Sequence, residues 1–292
     1  MSQWLIAYLP LFSQAILACG FAFSQYIVLR AGVFSVASAG FASIGAYTAA
    51  LSTMRLGMPP AFALCASLLA GALAGAILSI PLARLRGVFQ AIATLAFMQI
   101  VMSVALYIEP VTGGALGLNG IPHVIETWHL LVFLGIIVYL MLAIGGSSIG
   151  RAFDAARQDE TVAVALGIPV VRYHALAFVL SGAIAGVTGG LYAFHRYSIV
   201  PEQFGFPLLV DCLTAVVLGG RISVGGPIVG AVILAVLPEL ARVFADQRYL
   251  LHGALLMLVM IYLPDGIVDT IKFRLGQRAS ARAAKRAALE AG

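Results

Sequence analysis

Residues 60–83 read PAFALCASLLAGALAGAILSIPLA, a run without one charged side chain. At about 1.5 Å per residue, such a helix crosses the roughly 30 Å hydrocarbon layer of a bilayer. Inside it, Ser67, Gly71, Gly75 and Ser79 recur at every fourth position. That spacing keeps small residues on one helical face, where a neighbouring backbone can approach closely. The stretch therefore reads as a spanning helix with a packing seam. Gly182, Gly186 and Gly190 make a second such series, and Gly226 with Gly230 a shorter one.

The rest of the chain agrees. Of its 292 residues, 62% are hydrophobic and 10% charged, and the mean hydropathy is +1.03. Soluble chains carry about 25% charged residues. The composition implies an all-α, polytopic transmembrane helical bundle of about eight to ten spans. Apolar runs place them near 4–29, 33–54, 60–83, 88–108, 128–147, 173–194, 204–219, 226–244 and 249–264. The first run has no basic region before it and reads as a span rather than a cleavable signal. The 204–219 run is short and contains Asp211, so a broken or half helix is an open alternative there. The transmembrane domain is expected over 1–271, followed by a basic Ala- and Arg-rich tail over 272–292.

Charge orients the bundle. With the N-terminus outside, Arg30, Arg84, Arg86, Arg151, Arg157, Arg172, Arg221, Lys272, Arg274, Arg278, Arg282, Lys285 and Arg286 fall inside. Only Arg55, Arg196, Arg242 and Arg248, of the 17 basic residues, fall outside. The excess of basic residues on cytoplasmic segments favours this arrangement and puts the C-terminus in the cytoplasm. The formal net charge of +5 is thus explained by topology, and nucleic-acid binding is not expected.

Catalytic constellations are missing from the pattern. His123, His129, His174, His195 and His252 are scattered, and Cys19, Cys65 and Cys212 sit singly in apolar runs. No metal site or enzyme activity is expected. Both lysines, Lys272 and Lys285, lie outside any Gly-rich phosphate loop, so the chain binds no nucleotide cofactor of its own.

One stretch breaks the apolar rule. RAFDAARQDETVAVALGIP, residues 151–169, gathers Arg151, Asp154, Arg157, Asp159 and Glu160. Arg151, Asp154, Arg157 and Glu160 alternate in sign at three-residue spacing, a pattern that favours an exposed helix by a few tenths of a kcal/mol per pair. Gly167 supplies a stop and Pro169 blocks continuation. The loop 148–172 therefore reads as a short amphipathic cytoplasmic helix: either a solvated connector or a docking helix for a soluble partner.

This passage and the span after it resemble the branched-chain amino acid ABC transporter permeases. The matching positions are Ala156, Arg157, Glu160, Ala163, Gly167, Ile168, Arg172, Ala177, Phe178, Ser181, Ala185, Gly186 and Gly189. IGAYTAAL (44–51), RLRGVFQAIATLAF (84–97), TGGALGLNGIP (112–122), VVLGGRISVGGPIVGA (216–231) and YLPDGI (262–267) resemble further family segments in the same order. The resemblance is strongest to the M-type subunit. Departures fall at Ala37-Ser38, Phe89-Gln90 and Ile222-Ser223.

The resemblance implies a permease subunit in the bacterial inner membrane that pairs with a homologous permease, two ABC ATPase subunits and a periplasmic substrate-binding protein. ATP and Mg would be held by the ATPases. The 151–167 segment would then be the coupling helix, with Arg151, Asp154, Arg157, Asp159, Glu160 and Gly167 as its candidate residues. The cargo would be branched-chain amino acids or related small molecules.

Polar groups within spans are candidates for the translocation pathway: Gln25, Ser38, Ser43, Tyr47, Thr94, Gln99 and Asp211. Helix–helix hydrogen bonding is their commoner use. Asp211 stands out, because a charge at mid-bilayer costs roughly 2.5–3.5 kcal/mol on insertion scales. An ATPase-independent secondary transporter or channel is the competing reading. An integral-membrane enzyme would need clustered titratable groups that the sequence lacks.

Overall fold

The computed structural model describes residues 3–240 and 266–272, with Gly253 and Met257 between them. Its helices are α1 (Gln3–Arg30), α2 (Ser38–Met54), α3 (Pro60–Leu82), α4 (Val88–Tyr107), the single turn α5 (Glu109–Thr112), α6 (Thr127–Gly146), α7 (Ser148–Gln158), α8 (Glu160–Ala165), α9 (Val170–Arg196), α10 (Phe206–Gly219) and α11 (Gly225–Leu240). Residues 267–272 are helical as well. Strand β1 (Leu118–Asn119) pairs antiparallel with β2 (Ser198–Ile199), with Leu118 opposite Ile199. The expected span 249–264 and tail residues 273–292 lie outside the described residues, apart from the two positions named.

Six described helices are long and apolar enough to cross a membrane, and α11 is a shorter apolar one. The protein is a multi-pass, all-α integral membrane protein. Its centre is built on α1 and α9. Over their most apolar windows these are 78% and 61% buried, against 22% for α4 and for α6. On the periphery, Leu69, Leu73, Ile77 and Ile80 of α3 and Ile136 and Tyr139 of α6 are exposed. A water-soluble surface would not carry such contiguous apolar faces; lipid or another membrane subunit would cover them.

The glycine seams explain the packing. A Cβ on Gly71 would overlap the carbonyl oxygen of Gly182, one on Gly75 that of Phe178, and one on Gly186 that of Ser67. The contacts move one turn along α3 as they move one turn back along α9, so the two helices are antiparallel with backbones touching. Helix α2 packs along the same seam, touching both α3 and α9: a Cβ on Gly189 would overlap the Ala42 carbonyl and one on Gly45 that of Gly186. The third series joins α10 to α11: Gly230 lies against the Ala215 carbonyl and Gly226 against that of Gly220.

The connectors sort by end as the charge pattern requires. At one end Arg30 meets Asp154 at 3.1 Å and Arg86 meets Glu160 at 3.1 Å. Tyr26 donates to the Ile222 carbonyl at 2.9 Å at that same end. At the opposite end β1 meets β2, Arg55 donates to the carbonyls of Pro110 and Val111, and His123 Nδ1 lies 3.1 Å from the Phe194 carbonyl. The basic connectors within the described residues therefore collect together.

One span differs from expectation, and the open alternative for a second is resolved. The run 33–54 is helical only from Ser38, and residues 33–37 form an irregular, largely buried connector. Such backbone persists at membrane depth only where protein groups satisfy it. Ser35 Oγ accepts from the Ala37 N–H at 3.2 Å, and Thr94 Oγ1 accepts from that of Val36 at 3.1 Å. The doubtful run 204–219 is a continuous helix from Phe206 that passes from the β2 end to the basic end. The 3-10 turn Pro201–Phe204 before it supplies the missing length. Its 14 residues rise about 21 Å, and the turn adds about 8 Å.

Gly182→Leu should overfill the α3–α9 seam and destabilise the fold by about 1–3 kcal/mol or more. Gly135→Leu, at a glycine with open space around it, should be tolerated. Thermal unfolding of the detergent-purified variants checks both. Cysteines placed at Leu116 (80% exposed) and Leu166 (74% exposed) should react with impermeant reagents from opposite sides of the membrane.

Candidate coupling surface and polar groups of the spans

The charged stretch folds as two helices, not the single one its periodicity suggests. Ser147 caps α7 by accepting from the Gly150 N–H at 3.4 Å. At Asp159 the backbone leaves the helical region (φ −156°, ψ 110°). The freed carboxylate then caps α8, accepting from the N–H groups of Thr161 at 2.8 Å and Val162 at 3.1 Å. Asp favours this role because its short side chain reaches the unpaired N–H groups of a first turn. At the far end Gly167 (φ +82°) donates to Val164 at 2.9 Å, and Ile168 to Ala163 at 3.0 Å. This is a Schellman stop, and it needs the left-handed conformation that glycine adopts without strain.

The break at Asp159 removes the expected ladder of i,i+3 charges. Asp154 turns inward and receives Nε and Nη2 of Arg30 at 3.3 and 3.1 Å. Arg30 is 10% exposed, and charge-assisted bonds of this kind contribute about 1.5–3 kcal/mol. Glu160 pairs with Arg86, which is 74% exposed, so that pair adds no more than about 1 kcal/mol. Arg157 lies half-buried with its backbone against Gly32, whose φ is +85°. A Cβ on Gly32 would come within 2.9 Å of the Arg157 Cα. Arg151 stays exposed and donates to the Gly146 carbonyl at 3.4 Å.

These contacts fix α7 to the membrane body. Ala152, Phe153 and Ala156 are buried, and the Phe153 ring meets Tyr173 of α9 edge-on at 6.2 Å. What the unit presents outward is Arg151, Gln158, Asp159 and Thr161 together with Val162, Val164 and Leu166. The outward face is thus more apolar, and less charged, than the sequence pattern suggests. Val162 and Val164 lie on α8 and Leu166 caps it, and all three are exposed.

Among the pathway candidates, Gln25, Ser38 and Thr94 come together, but around the 31–37 connector. Gln25 Nε2 donates to the Ser35 carbonyl, and its Oε1 accepts from Ser38 Oγ at 2.9 Å. Thr94 also donates within its own helix, to the Gln90 carbonyl at 2.9 Å. Ser43 is buried on α2, and Tyr47 is 6% exposed with its hydroxyl shielded from water. Gln99 on α4 and Asp211 on α10 are exposed. Their neighbours in sequence Met98 and Leu209 share one small buried apolar cluster with Val36 and Ala39 of the connector and α2.

The departures from the family pattern also find their places. Phe89 is exposed, whereas Gln90 is buried and its Nε2 lies 3.4 Å from the Leu82 carbonyl. The Ile222 and Ser223 N–H groups donate to Asp269 at 2.8 and 3.0 Å, which sets the conformation of that turn. Sequence reasoning missed a cavity of about 320 Å³ at the opposite end, lined by His123, Glu126, Trp128 and His195 among others. Among the described residues no group of three His, Cys, Asp or Glu side chains could hold a metal.

The profile of the family described as "Branched-chain amino acid transport system / permease component" matches residues 8–263. The high-affinity branched-chain amino acid transport system permease protein LivM of Salmonella typhimurium is 32% identical over 86% of this chain and 68% of its own length. LivM of Escherichia coli is 31% identical over 85% of this chain and 67% of its own. LivH of Salmonella typhimurium is 35% identical over 48% of this chain and 45% of its own. No solved structure matches. With almost its whole transmembrane part covered, and with a glycine-sealed bundle that holds a short helical pair at its basic end, the chain belongs to the permease component family of branched-chain amino acid transport systems.

Proposed function

We propose that the chain is the membrane-spanning permease subunit of an ATP-binding-cassette importer in the bacterial inner membrane. Its cargo is branched-chain or other small amino acids, or related small molecules, delivered by a periplasmic binding protein. The rigidly seated α7–α8 unit carries this reading. It projects Val162, Val164 and Leu166 among Arg151, Gln158 and Asp159 at the basic end of the bundle. Exposed apolar side chains among polar ones suit a protein contact, and the positive-inside rule puts this end on the cytoplasmic side.

In this reading two ABC ATPases hold ATP and Mg and grip the α7–α8 unit of this chain and that of a second, homologous permease. Drawing the ATPases together moves α7, and Phe153, Asp154 and Arg157 pass the movement to α9, α1 and the 31–37 connector. A pathway forms between the two permeases. Gln99 and Asp211 are its candidate lining here, because an exposed polar group within a span is unfavourable against lipid. Gln25, Ser38 and Thr94 act as supports of the connector instead.

Leu166→Asp should abolish co-purification of the ATPase, or lower uptake at least tenfold, while the chain still inserts in the membrane. Uptake of radiolabelled leucine into proteoliposomes that hold both permeases, the ATPases and the binding protein is the measurement. Full uptake by that variant would count against the docking surface. Asp211→Asn should lower the uptake rate without loss of ATPase binding. Leucine uptake that continues without ATPases would favour the secondary-transporter reading.

A further inference from the structure

A line of directed bonds leaves the coupling unit and ends at the α10–α11 turn, at the same end of the bundle. Asp154 of α7 holds Arg30 through two bonds, at 3.1 and 3.3 Å. Arg30 Nη1 lies 3.5 Å from the Tyr26 hydroxyl, and that hydroxyl donates to the Ile222 carbonyl at 2.9 Å. The N–H groups of Ile222 and Ser223 in turn donate to the two carboxylate oxygens of Asp269. The line thus passes from α7 through α1 to the α10–α11 turn and then to the 266–272 segment.

Each link is confined. Tyr26 is fully buried, and Arg30 is pressed against Gly145 of α6, where a Cβ would come within 3.0 Å of its Nη1. Gly266 is so close to Gly220 that a Cβ would approach its Cα at 2.5 Å, so the 266–269 segment sits directly on the turn. The main packing partners of α7 are α6, α8 and α9. Apolar contact therefore connects α7 to the centre of the bundle, whereas the polar line connects it to α10, the helix that carries Asp211. A buried polar network costs desolvation and holds only in one geometry, so it transmits displacement where an apolar contact would slip.

We infer that Asp154, Arg30, Tyr26 and Asp269 are positioning residues that carry movement of the α7–α8 unit to the α10–α11 turn, and so set access at that end of the pathway. This rests on the importer reading above. Tyr26→Phe tests it, because it removes one hydroxyl and leaves the ring packing intact. In a complex with the second permease, the ATPases and the binding protein, the variant should retain the ATPases and hydrolyse ATP at a basal rate within twofold of the parent. Stimulation of hydrolysis by leucine-loaded binding protein should be lost, and leucine uptake should fall at least tenfold. Asp154→Asn should show the same split, and Asp154→Glu should recover part of the stimulation. Stimulation and uptake within twofold of the parent in Tyr26→Phe would overturn the relay alone. So would a loss of uptake that merely follows a smaller amount of folded chain. Failure of the ATPases to bind the unsubstituted chain would overturn the importer reading and the relay with it.

Discussion

Backbone contact between α3 and α9 is the constraint on which the other placements depend. Lipid tails are as apolar as leucine, so a bilayer offers helices little hydrophobic reason to associate. Close approach supplies dispersion contacts instead, and it is open only to faces without side chains in the way. Ser67, Gly71 and Gly75 provide one such face; Phe178, Gly182 and Gly186 present theirs to it. Once α3 and α9 are joined, α2 packs along their seam through Gly45 and Gly189, and α1 packs beside α9 and α2. The peripheral α4 and α6 are left with broad apolar faces that belong to lipid or to a neighbouring subunit.

Several polar groups follow a second rule: they serve irregular pieces of backbone near helix ends. Gln25, Ser35 and Thr94 satisfy the 31–37 connector, Asp159 opens α8, and Asp269 holds the α10–α11 turn. The charges of the 151–160 stretch are divided in the same way. Asp154 and Glu160 are taken up by arginines from other connectors, and Asp159 by its own helix. A surface left with Val162, Val164 and Leu166 suits a protein partner better than solvent does.

Much of the fold was legible because its signals are local. Span positions follow from apolar length, and eight of the nine expected runs coincide with described helices to within a few residues. The sorting of connectors to two ends followed from the basic residues. Gly167 was readable as a helix stop. The seams were readable as seams, since four-residue spacing has few other uses in a span. Residues 33–37 were misread as helix because an apolar sequence looks the same whether its backbone is coiled or held open by Thr94 from another span. The helix break at Asp159 was not legible, since Asp inside a helix and Asp at a cap differ only in backbone conformation.

The sequence alone therefore determined the class of protein, the spans among the described residues and the faces along which they pack. Composition, periodicity and charge bias are properties of short windows, and the bilayer imposes them directly. Tertiary structure alone decided which seam meets which, that Arg30 and Arg86 take the charges of α7 and α8, and that Gln25 and Thr94 serve a connector while Gln99 and Asp211 face outward. These outcomes depend on pairs far apart in the chain. Such pairs meet only after the helices have packed, and the competition for each hydrogen bond is settled at that point.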